Sequence, residues 1–179
     1  NPLRHVAEPG SFAPHLAVAD DETVVMNWLE PAGDGHALRF SVLENNQWKT
    51  PRTVSSGGNW FANWADFPSV VPISEQFWVA HWLVSQPAGG YAYDVAVSVS
   101  NDSGQSWSEP FLSHDDQTAT EHGFVSFFPD QEGAGLIWLD GRNMTGEAHD
   151  HGSESAGEGM TLRSALVTSS AEVLQPQLV

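Results

Sequence analysis

The sequence has no cysteine, a single lysine at Lys49, and six basic side chains in all against 23 acidic ones, for a formal net charge of −17. The missing thiols exclude disulfides, zinc–thiolate sites and cysteine nucleophiles together. So few basic groups leave no face to neutralise phosphates, and an anionic bilayer would repel the chain; neither nucleic acid nor a membrane surface is an expected partner. No apolar run approaches the roughly 18 residues that would span a bilayer, so membrane insertion is not expected. No long segment keeps a 3.6-residue apolar period, so helices are not expected either. The chain opens at Asn1 rather than methionine, which reads as a processed or truncated product. With its acid-rich, lysine-poor composition it suits a secreted or periplasmic protein.

Hydrophobic residues make up 40% of the chain and aromatic ones 11%, including eight tryptophans, which is enough to build a packed core. Turn signals such as Pro9-Gly10, Gly57-Gly58, Gly89-Gly90 and Asp140-Gly141 separate short runs rich in Val, Phe, Trp and Leu. The runs repeat. A Trp-Leu pair recurs at nearly equal intervals as Trp28-Leu29, Trp82-Leu83 and Trp138-Leu139. After each comes an alternating strand (37–42, 94–99 and 160–166), a turn, and a strand that ends on proline at Pro51, Pro110 and Pro176. Landmarks recurring in one order define three copies of a four-stranded unit. The expected fold is all-β: a β-propeller of four-stranded antiparallel blades, three of them present in one domain. Blade 1 covers about 12–55, blade 2 about 66–113 and blade 3 about 123–179, with 1–11 as a closure strand.

The most specific motif is 100–107, where Ser100, Asp102, Gly104 and Trp107 fit the Ser/Thr-x-Asp-x-Gly-x-x-Trp pattern of an Asp box. Its logic is local. Asp102 accepts turn N–H groups, Gly104 takes a positive φ, and Trp107 plugs the space between sheets. On these residues the chain resembles the sialidase-like, BNR-repeat propellers. The resemblance implies a six-bladed ring of which this chain is half, the other half coming from a continuation of the chain or from another subunit. It also implies a Tyr–Glu nucleophile pair, an Asp acid/base and three arginines that grip a carboxylated sugar. The chain departs from the pattern in two places. The equivalent turns at 44–48 and 168–172 lack the box, and none of Arg4, Arg39, Arg52, Arg142 and Arg163 lies in the Phe-Arg-Ile-Pro-like start of the family.

Propeller geometry gathers the loops 31–36, 55–67, 85–93, 112–123 and 140–159 on one face. In 58–67, Asp66 is the candidate catalytic acid, similar by position to the sialidase acid. Trp60 and Trp64 beside it, with Tyr91 and Arg142, are candidate ligand contacts, since exposed indoles stack on sugar faces and a guanidinium clamps a carboxylate. Each has a plainer reading: the tryptophans seal a blade junction, Asp66 caps a turn, and Arg142 braces Asp140. His149, Asp150 and His151, together with His114 and His122, are candidate ligands for a divalent ion, zinc, copper or calcium. Two functions follow. The first is a non-catalytic propeller that binds a ligand, a metal, or a glycan or protein partner; the alternative is an exo-sialidase-like glycoside hydrolase working through carboxylates at the funnel face.

Overall fold

The computed structural model describes residues 3–19, 21–144 and 159–179, and among them there are strands and turns but no helix. The strands form three antiparallel sheets in chain order. The first holds β1 (Phe12–Val18), β2 (Val24–Ala32), β3 (Gly35–Glu44) and β5 (Arg52–Gly57), with the two-residue β4 (Gln47–Trp48) closing a hairpin onto β3. The second holds β6 (Ser69–Pro72), β7 (Trp78–Ser85), β8 (Tyr93–Ser100) and β9 (Phe111–Leu112). The third holds β10 (His122–Asp130), β11 (Gly133–Asp140), β12 (Thr161–Val167) and β13 (Val173–Leu178). These are blades of a β-propeller, with β1, β6 and β10 innermost. Residues 3–11, expected as a closure strand, belong to no sheet of this chain. Instead His5, Ala7 and Pro9 share a cavity of about 310 Å³ with Met26 and Trp28 of the first blade.

The period-2 alternation of a strand sends successive side chains to opposite faces, and the middle blade buries both of its faces. From β7, Trp78, Ala80 and Trp82 pack against Leu29, Leu38 and Phe40 of the first blade. Their neighbours Val79 and Leu83, with Val95, Val97 and Val99 of β8, pack against Leu136, Trp138 and Val167 of the third. The uninterrupted apolar stretch in β7 therefore reflects two cores meeting on one sheet. A buried polar contact joins blades one and two: Asn27 donates from Nδ2 to the Pro68 carbonyl (2.9 Å) and accepts the Val70 N–H on Oδ1 (2.9 Å), tying β2 to β6. Both polar ends of the amide are satisfied, so its burial carries no desolvation penalty left unmet.

The 100–107 turn closes at the end of the blades opposite to Asp66. Asp102 Oδ1 accepts the Gln105 and Ser106 N–H groups (3.0 and 2.8 Å) and the Ser100 hydroxyl (2.8 Å). The Ser106 hydroxyl donates to Oδ2 (2.6 Å), and these bonds hold the Asp102 carboxyl down at about 2. Trp107 meets Phe40 of the first blade edge-on (5.9 Å). Gly104 has φ +73°, and a β-carbon there would sit 2.9 Å from Phe40 Cζ. Replacing Gly104 by alanine combines a left-handed backbone with a clash against the core, so the expected cost is about 1–3 kcal/mol, read as a lower urea midpoint.

Candidate active site

Asp66, Tyr93, Glu121 and Asp140 gather at one end of the sheets, because β8 starts where β7 ends and β10 starts opposite the end of β11. Asn63 shapes the loop ahead of Asp66: its Oδ1 accepts the N–H groups of Ala65 (2.6 Å) and Asp66 (2.9 Å), the Asx turn that Asn favours. The turn places Asp66 inward, only 4% exposed. Its Oδ2 accepts the Phe124 N–H (2.9 Å) and lies 3.4 Å from the Tyr93 hydroxyl. That hydroxyl donates to Glu121 Oε1 at 2.6 Å. Burial pushes the Asp66 carboxyl up to about 6 against the pull of the Phe124 and Tyr93 bonds, and the Glu121 charge adds to the rise.

The backbone pays for this placement. Phe124 has φ +54°, a sparsely populated conformation for an aromatic residue, and Gly123 has no room for a β-carbon because Asp66 Oδ2 occupies that space. Asp66 lines a cavity of about 530 Å³ walled by His15, Ser69, Val71, Phe124 and Phe127 from the innermost strands and their approaches. Among the described residues no hydrogen bond engages Oδ1, which leaves one oxygen of this buried, proton-holding carboxyl available to a ligand.

A second cluster sits between blades two and three. The His114 and His122 rings stack at 3.8 Å and 14°. His114 Nδ1 lies 2.6 Å from Asp116 Oδ1, and its Nε2 lies 3.5 Å from Asp94 Oδ1. Burial and the neighbouring His122 lower the His114 pKa against the pull of Asp116 and Asp94. His122 Nε2 stands 3.3 Å from Asp116 Oδ2 and 3.8 Å from Asp140 Oδ1. Two trios, Asp94–His114–His122 and Asp116–His122–Asp140, each bring three ligand atoms within 4.8 Å of one another, so the cluster could hold a metal ion. Behind it, Asp140 is fully buried and binds Arg142 through both oxygens at 2.7 Å, while Trp138 Nε1 donates to its Oδ2 at 2.8 Å.

The structure sorts the sequence candidates. Asp66 faces the cavity, and His114 and His122 come together. Trp60 stacks on Trp82 (5.2 Å) in the wedge between blades one and two, whereas Trp64 and Tyr91 stand 87% and 69% exposed. Arg142 is engaged by Asp140. His149, Asp150 and His151 lie outside the described residues. Two participants do not stand out in the sequence alone: Tyr93, which shares its strand phase with the exposed Tyr91 as well as with Val95 and Val97, and Asn63, whose spacing before Asp66 is an Asx-turn signal.

No family model and no curated protein matches the chain. Solved structures do. The α-L-arabinanase of Penicillium chrysogenum, complexed with arabinobiose, matches with a TM-score of 0.63 at 13% identity over 94% of this chain and 50% of its own. An endo-1,4-β-xylanase from Bacteroides thetaiotaomicron matches with 0.55 at 13% identity over 96% of this chain and 60% of its own. An α-L-arabinofuranosidase from Clostridium thermocellum matches with 0.56 at 10% identity over 97% and 56%. At such identities the likeness defines the fold, a β-propeller, and the chain spans 50% to 60% of the length of these structures. Their names are those of arabinan- and xylan-active enzymes, and the likeness supports the propeller fold but not the sialidase-like family. The six-bladed count rests on the Asp-box resemblance alone. Physically the reason is plain: that box is a self-contained turn, its bonds made within 100–106, and any β-hairpin can use it.

Proposed function

We propose that this chain carries the proton-donating part of a glycoside hydrolase that acts on neutral glycans, with Asp66 as general acid and a second carboxylate supplied by the blades that complete the ring. The observation that carries this reading is the Asp66 carboxyl: buried, shifted to about 6, tied through Oδ2, and part of the cavity lining. A group that holds its proton near neutral pH and offers it from a fixed position is what departure of a glycosidic oxygen requires. No other acidic side chain of the described residues lines that cavity, which is why the partner carboxylate is assigned to the missing blades. Its volume falls in the range that small ligands occupy. A net charge of −17 favours a neutral sugar over a carboxylated one. The solved structures of like fold, named for arabinan and xylan chemistry, support a pentose-containing substrate.

The Tyr–Glu pair of a sialidase has a counterpart in composition, Tyr93 with Glu121, but Tyr93 is wholly buried and burial raises its phenol far above the usual range, so it is not a nucleophile here. It holds Asp66 in place instead. The test is a panel of aryl glycosides and pentose oligosaccharides offered to the complete ring. Turnover abolished by Asp66→Asn supports the reading; saturable glycan binding without turnover returns the protein to the non-catalytic class. Trp64, being exposed and two residues from the acid, is assigned to stacking on the sugar. Trp64→Ala should raise KM about 3- to 10-fold while leaving the melting temperature unchanged.

A further inference from the structure

We infer that a divalent transition-metal ion binds between the second and third blades on His114 Nε2, Asp94 Oδ1 and His122 Nδ1, zinc being the best match. This does not depend on the glycosidase reading. The starting point is an electrostatic mismatch. His114 is more than nine-tenths buried, and its Nδ1 is committed to Asp116 Oδ1 at 2.6 Å, which leaves Nε2 as the lone-pair nitrogen of a neutral ring. Among the described residues Nε2 has no hydrogen-bond partner, although it is buried and only 3.5 Å from Asp94 Oδ1. An acceptor nitrogen facing an anionic oxygen is repulsive unless a cation stands between them.

The neighbouring cations are engaged elsewhere: Arg142 is doubly bonded to Asp140, and Arg163 Nε is 3.7 Å from the same carboxylate. Among the described residues, the only other side chain bonded to Asp94 is the neutral amide of Gln86. A third nitrogen, His122 Nδ1, lies 3.8 Å from Asp94 Oδ1, and the carbonyls of Thr120 and Tyr93 reach it at 3.2 and 3.3 Å. Two imidazoles and one carboxylate are the donor set of zinc, and a hard ion such as calcium would want six to eight oxygens. Asp116 plays the supporting part, orienting the His114 ring from its far side. Because the two rings stack face to face, ligation by both requires His122 to turn off the Thr120 and Tyr93 carbonyls. Binding should therefore unstack the pair.

The test is zinc titration of the full chain by calorimetry, with metal content measured after dialysis, in a background where His149 and His151 are alanine. One equivalent retained is expected, with affinity reduced at least tenfold by His114→Ala and by Asp94→Asn, and by about tenfold by Asp116→Asn. Zinc lost on dialysis, or an affinity that none of the three substitutions moves, overturns the site. Should a variant fail to fold, imidazole ¹⁵N shifts of the unsubstituted protein decide: zinc must move His114 Nε2 and His122 Nδ1, and movement of other histidines alone refutes the assignment.

Discussion

Replacing Asp66 by asparagine should lower kcat/KM on glycosides with poorly acidic leaving groups by about 10²- to 10⁴-fold, the usual contribution of a positioned general acid. On an aryl glycoside whose leaving group departs without a proton, the loss should be much smaller. That contrast separates proton donation from mere disruption of the loop. Asparagine keeps the shape, and its Oδ1 can still accept the Phe124 N–H that Asp66 Oδ2 accepts now at 2.9 Å. The pH profile offers a second check. Activity that needs the protonated carboxyl falls on the alkaline side as pH rises through about 6, and this limb should vanish in the variant.

Stability should move the other way. The carboxyl is raised from 3.8 in the unfolded chain to about 6 when folded, so the folded state binds the proton more tightly. The neutral form contributes fully below about pH 4, and that contribution is lost as pH rises towards 6, where ionisation is opposed by burial and by Glu121. Asparagine cannot ionise. Above pH 6 the Asp66→Asn protein should therefore be more stable than the parent, on the order of 1–3 kcal/mol, with the gain shrinking to nothing near pH 4. Equal stability at pH 8 would show that the carboxyl is more solvated than its 4% exposure indicates.

Much of this arrangement was legible in the sequence, and its legible parts share a cause. The three Trp-Leu pairs could be found because each marks the second strand of a blade, β2, β7 and β11, where large side chains must fill the wedge between sheets. Asp66, His114 and His122 stood out because polar, titratable residues in loops between repeats collect at one end of a propeller. What stayed hidden depends on partners far apart in the chain. Tyr93 reaches Asp66 and Glu121 across separations of 27 and 28 residues, and Asn27 reaches Val70 across 43. No local pattern encodes which of two nearby tyrosines turns inward; burial against Phe61, stacked on Tyr93 at 4.2 Å, decides it. The Asp box illustrates the reverse hazard. Its spacing specified a turn correctly, but a turn that is complete within seven residues says little about the ring that carries it.

Removing the Asp140 carboxylate should cost about 3–5 kcal/mol of stability in Asp140→Ala, as much as deleting a large core side chain. The side chain is wholly buried. It takes two guanidinium bonds and the backbone N–H from Arg142 (2.7, 2.7 and 3.0 Å) and the Trp138 indole N–H (2.8 Å), with Arg163 Nε at 3.7 Å. Alanine would leave two half-buried arginines facing each other without their anion, and a buried indole N–H with no acceptor. Asparagine keeps an acceptor for Trp138 but not the charge, and should cost less, about 1–3 kcal/mol. The surface supplies the control. Lys49 and Glu44 also meet at 2.7 Å, yet both side chains are more than half exposed, and Lys49→Ala should change stability by no more than about 1 kcal/mol. Urea unfolding of the three variants, with m held equal, measures all of this at once. Two ion pairs of the same length should differ several-fold in worth, because water screens one and is excluded from the other. If Asp140→Ala unfolds no more readily than Lys49→Ala, then Arg142 and Arg163 must find other anions, and Asp116, 3.5 Å from Arg142 Nε, is the one placed to receive them.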